Sequence, residues 1–305
     1  MAKLKLLVIG GTGFIGAHLV TEGIKQNFHV YSISLSKNKN IVPNVEYFTA
    51  DITNKEQLKT AIESISFDYV IHCGGYINHT PYNKGGDQVV KEHLTSLQNF
   101  VEILDRTNLK KFLMIGSSDE YGGAPAPQLE DLRELPISPY SFAKVAGAHF
   151  LQMLYRTEKF PSAIARLFLT YGPGQDQKRF LPQIITGCLE NREFASSFGE
   201  QYRDFCYVED TVEGLFKMLL SEKALGEIIN ISSGDKVTIR EMIERVVSLV
   251  GSGKPKFGEV AYRLGENMAL YADVKKAETL LGWKAKTSLD DGLKKTIEYF
   301  KGMIQ

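Results

Sequence analysis

The sequence predicts an α/β fold: a doubly wound parallel sheet with a smaller C-terminal α/β part beside it. Three observations carry the prediction. Short apolar runs alternate with amphipathic helical stretches through the first half of the chain. The first run leads directly into a glycine-rich turn and a helix. After Gly174 the regular alternation weakens and helical patterns predominate.

Leu4 to Ile9 is apolar except for Lys5, as a strand buried on both faces should be. Gly10-Gly11-Thr12-Gly13-Phe14-Ile15-Gly16 follows, then a helical pattern through Leu19, Val20 and Ile24. Glycines let a backbone approach a pyrophosphate, and a helix N-terminus presents unpaired N–H groups to it. The glycines fit two registers, Gly11-x-Gly13-x-x-Gly16 and Gly10-x-x-Gly13-x-x-Gly16. His29 to Leu35 and Val45 to Thr49 read as further strands, the latter ending at Asp51-Ile52. Asn54 to Ile65 reads as a helix capped by Asn54. Tyr69 to Cys73 is a strand running into Gly74-Gly75. Leu94, Leu97, Val101 and Leu104 mark a long helix, and Lys111 to Gly116 another strand. Beyond Gly174, helices are expected over 179–189, 208–220, 239–250, 273–281 and 289–300, with a short strand at Ile228 to Ile231. The expected division is 1–171 as nucleotide-binding domain, with 208–232 returning to it, and 172–207 plus 233–305 as substrate domain.

The 305 residues carry 36 basic and 36 acidic side chains, so no broad field draws the chain to nucleic acid or to an anionic membrane. Cys73, Cys188 and Cys206 form neither a metal pattern nor a disulfide framework, which fits a reducing, cytoplasmic setting. No long apolar run follows a charged leader, and Leu4 to Gly16 is too short to span a bilayer.

The chemistry centres on Ser138-Pro139-Tyr140-Ser141-Phe142-Ala143-Lys144. Phe142, Ala146, Phe150 and Leu154 recur at helical spacing, and Pro139 suits a first turn. Tyr140 and Lys144 therefore leave one helix face a turn apart. An ammonium beside a phenol favours the phenolate, so the pair is a candidate general acid/base. Ser117, in Gly116-Ser117-Ser118-Asp119-Glu120-Tyr121-Gly122, stands at the C-terminal end of a strand, where ligand crevices form. The second strand ends Ser32-Ile33-Ser34, with Lys37 and Lys39 following. Hydroxyls and ammonium groups suit a ribose 2′-phosphate better than a carboxylate would, so NADP is expected ahead of NAD.

These residues together resemble the extended short-chain dehydrogenase/reductase family, in the branch acting on nucleotide sugars. The likeness continues through Arg166-Leu-Phe-Leu-Thr-Tyr171-Gly-Pro-Gly-Gln175, Arg203-Asp204-Phe205, Ala272-Asp273 and Leu281-Gly282-Trp283. It implies a Rossmann-type sheet in which Gly10, Gly13, Phe14, Ile15, Gly16, Ser34, Asp51 and Ile52 hold the cofactor. It implies Ser117 as the catalytic hydroxyl, Tyr140 as proton donor or acceptor, and Lys144 on the nicotinamide ribose. Arg203 and Arg263 match positions that contact the sugar nucleotide; Ser118, Asp119 and Arg179 complete the expected substrate contacts. No metal is expected. The implied partners are a nucleotide-sugar substrate and a second copy of the chain, through the helices around Leu97 and Phe150.

Ser118 and Asp119 stand where 4,6-dehydratases place an acidic pair, or a serine and a glutamate; Asp119 is one methylene shorter than that glutamate base, and the segment looks closer to the 4-keto-6-deoxysugar reductases. His93 and Leu169 stand where many relatives have asparagine, and Gly74-Gly75 replaces Ala-Ala. The leading expectation is therefore NADP-dependent reduction of a nucleotide-linked 4-keto-6-deoxysugar. A 4-epimerase with tightly held NAD and a 4,6-dehydratase are the enzymatic alternatives; a cofactor-sensing regulatory protein is the non-enzymatic one.

Overall fold

The computed structural model describes residues 3–35, 41–262 and 265–304. The first half runs β1 (Lys5–Ile9), α1 (Phe14–Lys25), β2 (His29–Ser34), β3 (Val45–Thr49), α2 (Lys55–Ile62), β4 (Tyr69–His72), α3 (Gly86–Ile103), β5 (Lys111–Ser117), α4 (Pro139–Glu158) and β6 (Ser162–Leu167). The rest runs β7 (Leu169–Tyr171), α5 (Phe180–Leu189), β8 (Glu193–Ser196), β9 (Tyr202–Tyr207), α6 (Val208–Leu220), β10 (Ile228–Ile231), β11 (Lys236–Thr238), α7 (Ile239–Val250), β12 (Lys254–Phe257), β13 (Ala269–Leu270), α8 (Lys275–Leu281) and α9 (Leu289–Ile304).

A seven-stranded sheet in the order β10-β6-β5-β4-β1-β2-β3 organises the molecule. Every neighbouring pair in it is parallel. Successive residues of β1 face opposite layers: Leu6 and Val8 join the core under α1 and α6, while Leu7 and Ile9 join the core under α3 and α4. That double burial is why β1 reads as an apolar run rather than an alternating one. The strand order reverses between β1 and β4, the place where sheets of this kind bind ligands beyond their strand ends.

The later strands build small sheets. β9 pairs antiparallel with β11 and parallel with β13 and β7, and β8 pairs parallel with β12. Asp204 on β9 is fully buried and accepts from Ser233 N at 3.1 Å, Ser233 Oγ at 2.6 Å, Gly234 N at 3.0 Å and Ala272 N at 3.2 Å. One carboxylate thus gathers separate chain segments, and burial without those bonds would be costly. Trp283 packs against Gly214, where an added Cβ would lie 2.9 Å from the indole. The apolar stripes of α3 and α4 are taken up mainly within the subunit: Leu97, Val101, Leu104 and Leu154 are buried, whereas Phe142 stays 50% exposed.

Candidate active site

The glycine turn after β1 is built for close approach. Gly10 has φ +82°, and a Cβ on Gly16 would lie 2.1 Å from the Gly10 carbonyl oxygen. Gly13 caps α1 without a side-chain hydrogen bond, so nothing from the cap residue covers the first N–H groups of the helix. Gly10 N donates to Ile33 O at 2.8 Å, which sets this turn beside the end of β2. There Ser34 is 7% exposed and its Oγ, like that of Ser32, has no partner among the described residues. A turn with no room for side chains, an open helix end and orphaned hydroxyls together fit a dinucleotide. Phe14 and Ile15 are half-buried on the first turn of α1. Asp51 follows β3, half-buried, and accepts from Thr53 N at 2.8 Å. Ile52 lies against Gly74, where its Cδ1 would be 3.0 Å from an added Cβ.

The helix α4 begins with a reciprocal cap. Ser138 Oγ accepts from Ser141 N at 3.1 Å, Ser141 Oγ accepts from Ser138 N at 2.9 Å, and Pro139 opens the first turn. This fixed start sets Tyr140, which is 5% exposed and close enough to the Ser117 hydroxyl at the end of β5 for that hydroxyl to favour its phenolate. Lys144 is 7% exposed, one turn on, and donates from Nζ to Ile115 O at 2.8 Å. Ser117, Tyr140 and Lys144 therefore converge, as the sequence pattern implies.

Their electrostatics differ from the sequence expectation. Burial raises the Tyr140 phenol well above its ordinary value and the Asp119 charge adds to it, while the Ser117 hydroxyl and Arg179 pull the other way. Lys144 lies 5.8 Å from the Tyr140 ring centroid with its own value lowered by burial, against the opposing charge of Glu120. The lowering ascribed to the lysine from its spacing is outweighed because both groups are out of water. Tyr140 is therefore a phenol here, and it has to lose that proton before it can take one from a substrate hydroxyl.

Glu120 was not singled out in the sequence. It is fully buried, accepts from Ser117 N at 2.8 Å and pairs with Arg166 Nε at 2.8 Å. Arg166, also fully buried, reaches Glu134 at 2.6 Å and lies over the Tyr121 ring. Burial raises the Glu120 carboxyl and Arg166 opposes the rise. This pair fixes the backbone that carries the Ser117 hydroxyl. Two histidines also meet Tyr140 edge-on: His93 from α3 at 5.5 Å and His79 from the loop after β4 at 5.8 Å between ring centroids. Gly75 leaves room for His93; a Cβ there would lie 2.6 Å from its ring.

The expected substrate contacts divide. Asp119 and Arg179 act on Tyr140 through their charges. Ser118 is buried, 4% exposed. Arg203 is 9% exposed, donates to Tyr202 O at 2.7 Å and Asn267 O at 2.8 Å, and pairs with Glu266. Arg263 lies outside the described residues, as do Lys37 and Lys39. No helix among the described residues is long and apolar enough to cross a membrane.

A family model described as the NAD dependent epimerase/dehydratase family matches residues 6–232. A putative UDP-glucose 4-epimerase of Methanocaldococcus jannaschii is 30% identical, covering 97% of this chain and 98% of its own. A probable dTDP-glucose 4,6-dehydratase of Sinorhizobium fredii is 27% identical over 97% of this chain and 93% of its own. The crystal structure of UDP-glucuronic acid 4-epimerase from Bacillus cereus, with UDP-glucuronic acid and NAD, superimposes with a TM-score of 0.87 at 28% identity. That match covers 98% of this chain and 100% of the other. Motifs, sheet order, site geometry and these matches agree: the chain belongs to the NAD-dependent epimerase/dehydratase family of extended short-chain dehydrogenases/reductases.

Proposed function

We propose that this protein is a nucleotide-sugar 4-epimerase that uses NAD. The observation that carries the reading is the convergence of Ser117, Tyr140 and Lys144 at the switch point of the sheet. Relatives named as 4-epimerases support it ahead of the reductase that the Ser117–Tyr121 segment resembles. Bound NAD would take a hydride from the sugar carbon and return it. The protein's residues handle the proton. Ser117 donates to the sugar oxygen and holds it against Tyr140, whose phenolate takes the hydroxyl proton and later gives it back. Lys144 places a cation beside this exchange and favours the phenolate while it lasts. Arg179, exposed at the start of α5, offers a guanidinium to an anionic part of the substrate.

Ser34 ends β2 without a charge, so it neither repels a 2′-phosphate nor requires one. NAD is proposed because a solved relative carries it. The proposal also takes 1–171 with 208–232 as the cofactor side and 172–207 with 233–305 as the substrate side. It includes a homodimer through α3 and α4, and a cytoplasmic setting consistent with three unpaired cysteines. A second reading, 4,6-dehydration, is favoured by one observation: a carboxylate, Asp119, stands beside Tyr140. NMR of UDP-glucose, UDP-glucuronate and dTDP-glucose incubated with enzyme and NAD decides. The reading predicts inversion at C4 of one of them without net change in cofactor. Formation of a 4-keto-6-deoxysugar replaces it with the dehydratase, and consumption of NADPH only when a 4-ketosugar is supplied replaces it with the reductase.

A further inference from the structure

The proton exchange at C4 leaves both histidines beside Tyr140, His79 and His93, without a task. His79 sits in the loop between β4 and α3, with Nε2 3.6 Å from Asp119 Oδ2 and Nδ1 3.3 Å from Ser138 Oγ. Its ring stands edge-on to Tyr140 at an interplanar angle of 82°. Ser138 Oγ lies 3.0 Å from Ser141 Oγ, where either hydroxyl can donate, and Ser141 Oγ also donates to Ser138 O at 2.9 Å. In the tautomer that donates from Nδ1 to Ser138 Oγ, the lone pair stands on Nε2. That lone pair lies on the side of the ring that carries Asp119, and a proton taken there creates an imidazolium at ion-pair distance from a carboxylate.

We infer that His79, held and charge-compensated by Asp119, is a general base for the C–H bond next to the C4 carbonyl. The inference rests on the reading above only in that the site must hold a nucleotide-linked 4-ketosugar. The carbon in question is one bond from the carbon whose oxygen Tyr140 serves. Its hydrogen leaves as a proton to His79 Nε2. The C–H electron pair becomes the enolate double bond, and the carbonyl pair moves to oxygen, where the Tyr140 and Ser117 hydroxyls stabilise it. Return of a proton from His79 to the same carbon restores the ketone, so no oxidant or reductant is consumed. In deuterium oxide the returning hydron is deuterium, because a 42%-exposed imidazole exchanges with solvent.

The test uses the whole enzyme in deuterium oxide, in two arms read by NMR and mass spectrometry. One arm supplies dTDP-4-keto-6-deoxyglucose or its UDP counterpart directly. The other supplies UDP-glucose, UDP-glucuronate or dTDP-glucose with NAD. The inference predicts deuterium at C3 or C5 in both arms, and about a hundredfold fall in that incorporation, relative to C4 turnover, in His79→Gln. Asp119→Asn should lower it in the same direction. Incorporation from the supplied ketosugar without any C4 turnover supports the inference while refuting the epimerase reading. Turnover at C4 with no deuterium at C3 or C5 overturns the inference and leaves that reading standing. Incorporation that persists undiminished in His79→Gln also overturns it, since the base is then another group.

Discussion

Tyr140 is where sequence and structure agree on position and differ on state. Its spacing from Lys144 was legible because helical periodicity is local. Its electrostatic state was not, because burial and the Asp119 charge come from residues distant in sequence. The same holds for Arg166: a lone arginine reads as a surface residue, and Glu120 and Glu134, 46 and 32 positions away, make its complete burial tolerable. His79 and Ser138 are 59 positions apart, so their pairing left no local signal. A prediction belongs here. Tyr140→Phe keeps the ring packed between His79 and His93 and deletes the transferable proton. Turnover should fall by about a hundredfold or more, with NAD affinity by calorimetry almost unchanged. Turnover within a few-fold of the parent would move the proton chemistry to another group.

Among the elements, β1 through α4 were readable almost residue by residue, since strand runs and helix stripes are set by nearest neighbours. The helix expected over 54–65 ends at Ile62, but its Asn54 cap is as anticipated, accepting from Gln57 N. β6 escaped as a strand because Arg166 interrupts its apolar pattern, and β7, β11 and β13 are too short to show a period. They exist because β9 pairs with them. The turn between β1 and α1 yields a stability prediction. Gly16→Ala places a Cβ against backbone, not a flexible side chain, so it should destabilise by about 1–3 kcal/mol and weaken NAD binding. Thermal unfolding with and without NAD measures both, and an unchanged midpoint would show that the turn relaxes freely. The end of β4 yields a second. Burial lowers His72 to about 3, and burial of His93 lowers it to about 4. The unfolded chain protonates both near pH 6.5 while the folded one refuses the protons, so stability falls as pH drops below 6.5. Denaturant midpoints between pH 7.5 and 5 should decline, and His72→Gln should flatten the decline; a level profile would contradict the assignment.

At the scale of the molecule, the parallel sheet gives a row of strand ends, and the later segments add α5 and the β9 sheet. Phe142 and Met153, 50% and 40% exposed on α4, are the apolar groups left after α3 and α4 pack on the subunit's own core. The proposed dimer covers them. Light scattering at micromolar concentration should give twice 34.1 kDa, and a monomer would remove that part of the proposal. The central claim is that one site takes a hydride from C4 and gives it back to C4. Deuterium placed at C4 of the accepted nucleotide sugar tests this most directly, with its position in the product read by NMR. The account predicts that deuterium stays at C4 in both epimers and is lost neither to solvent nor to free cofactor. Deuterium found at C6, or carried away on released reduced cofactor, would contradict it.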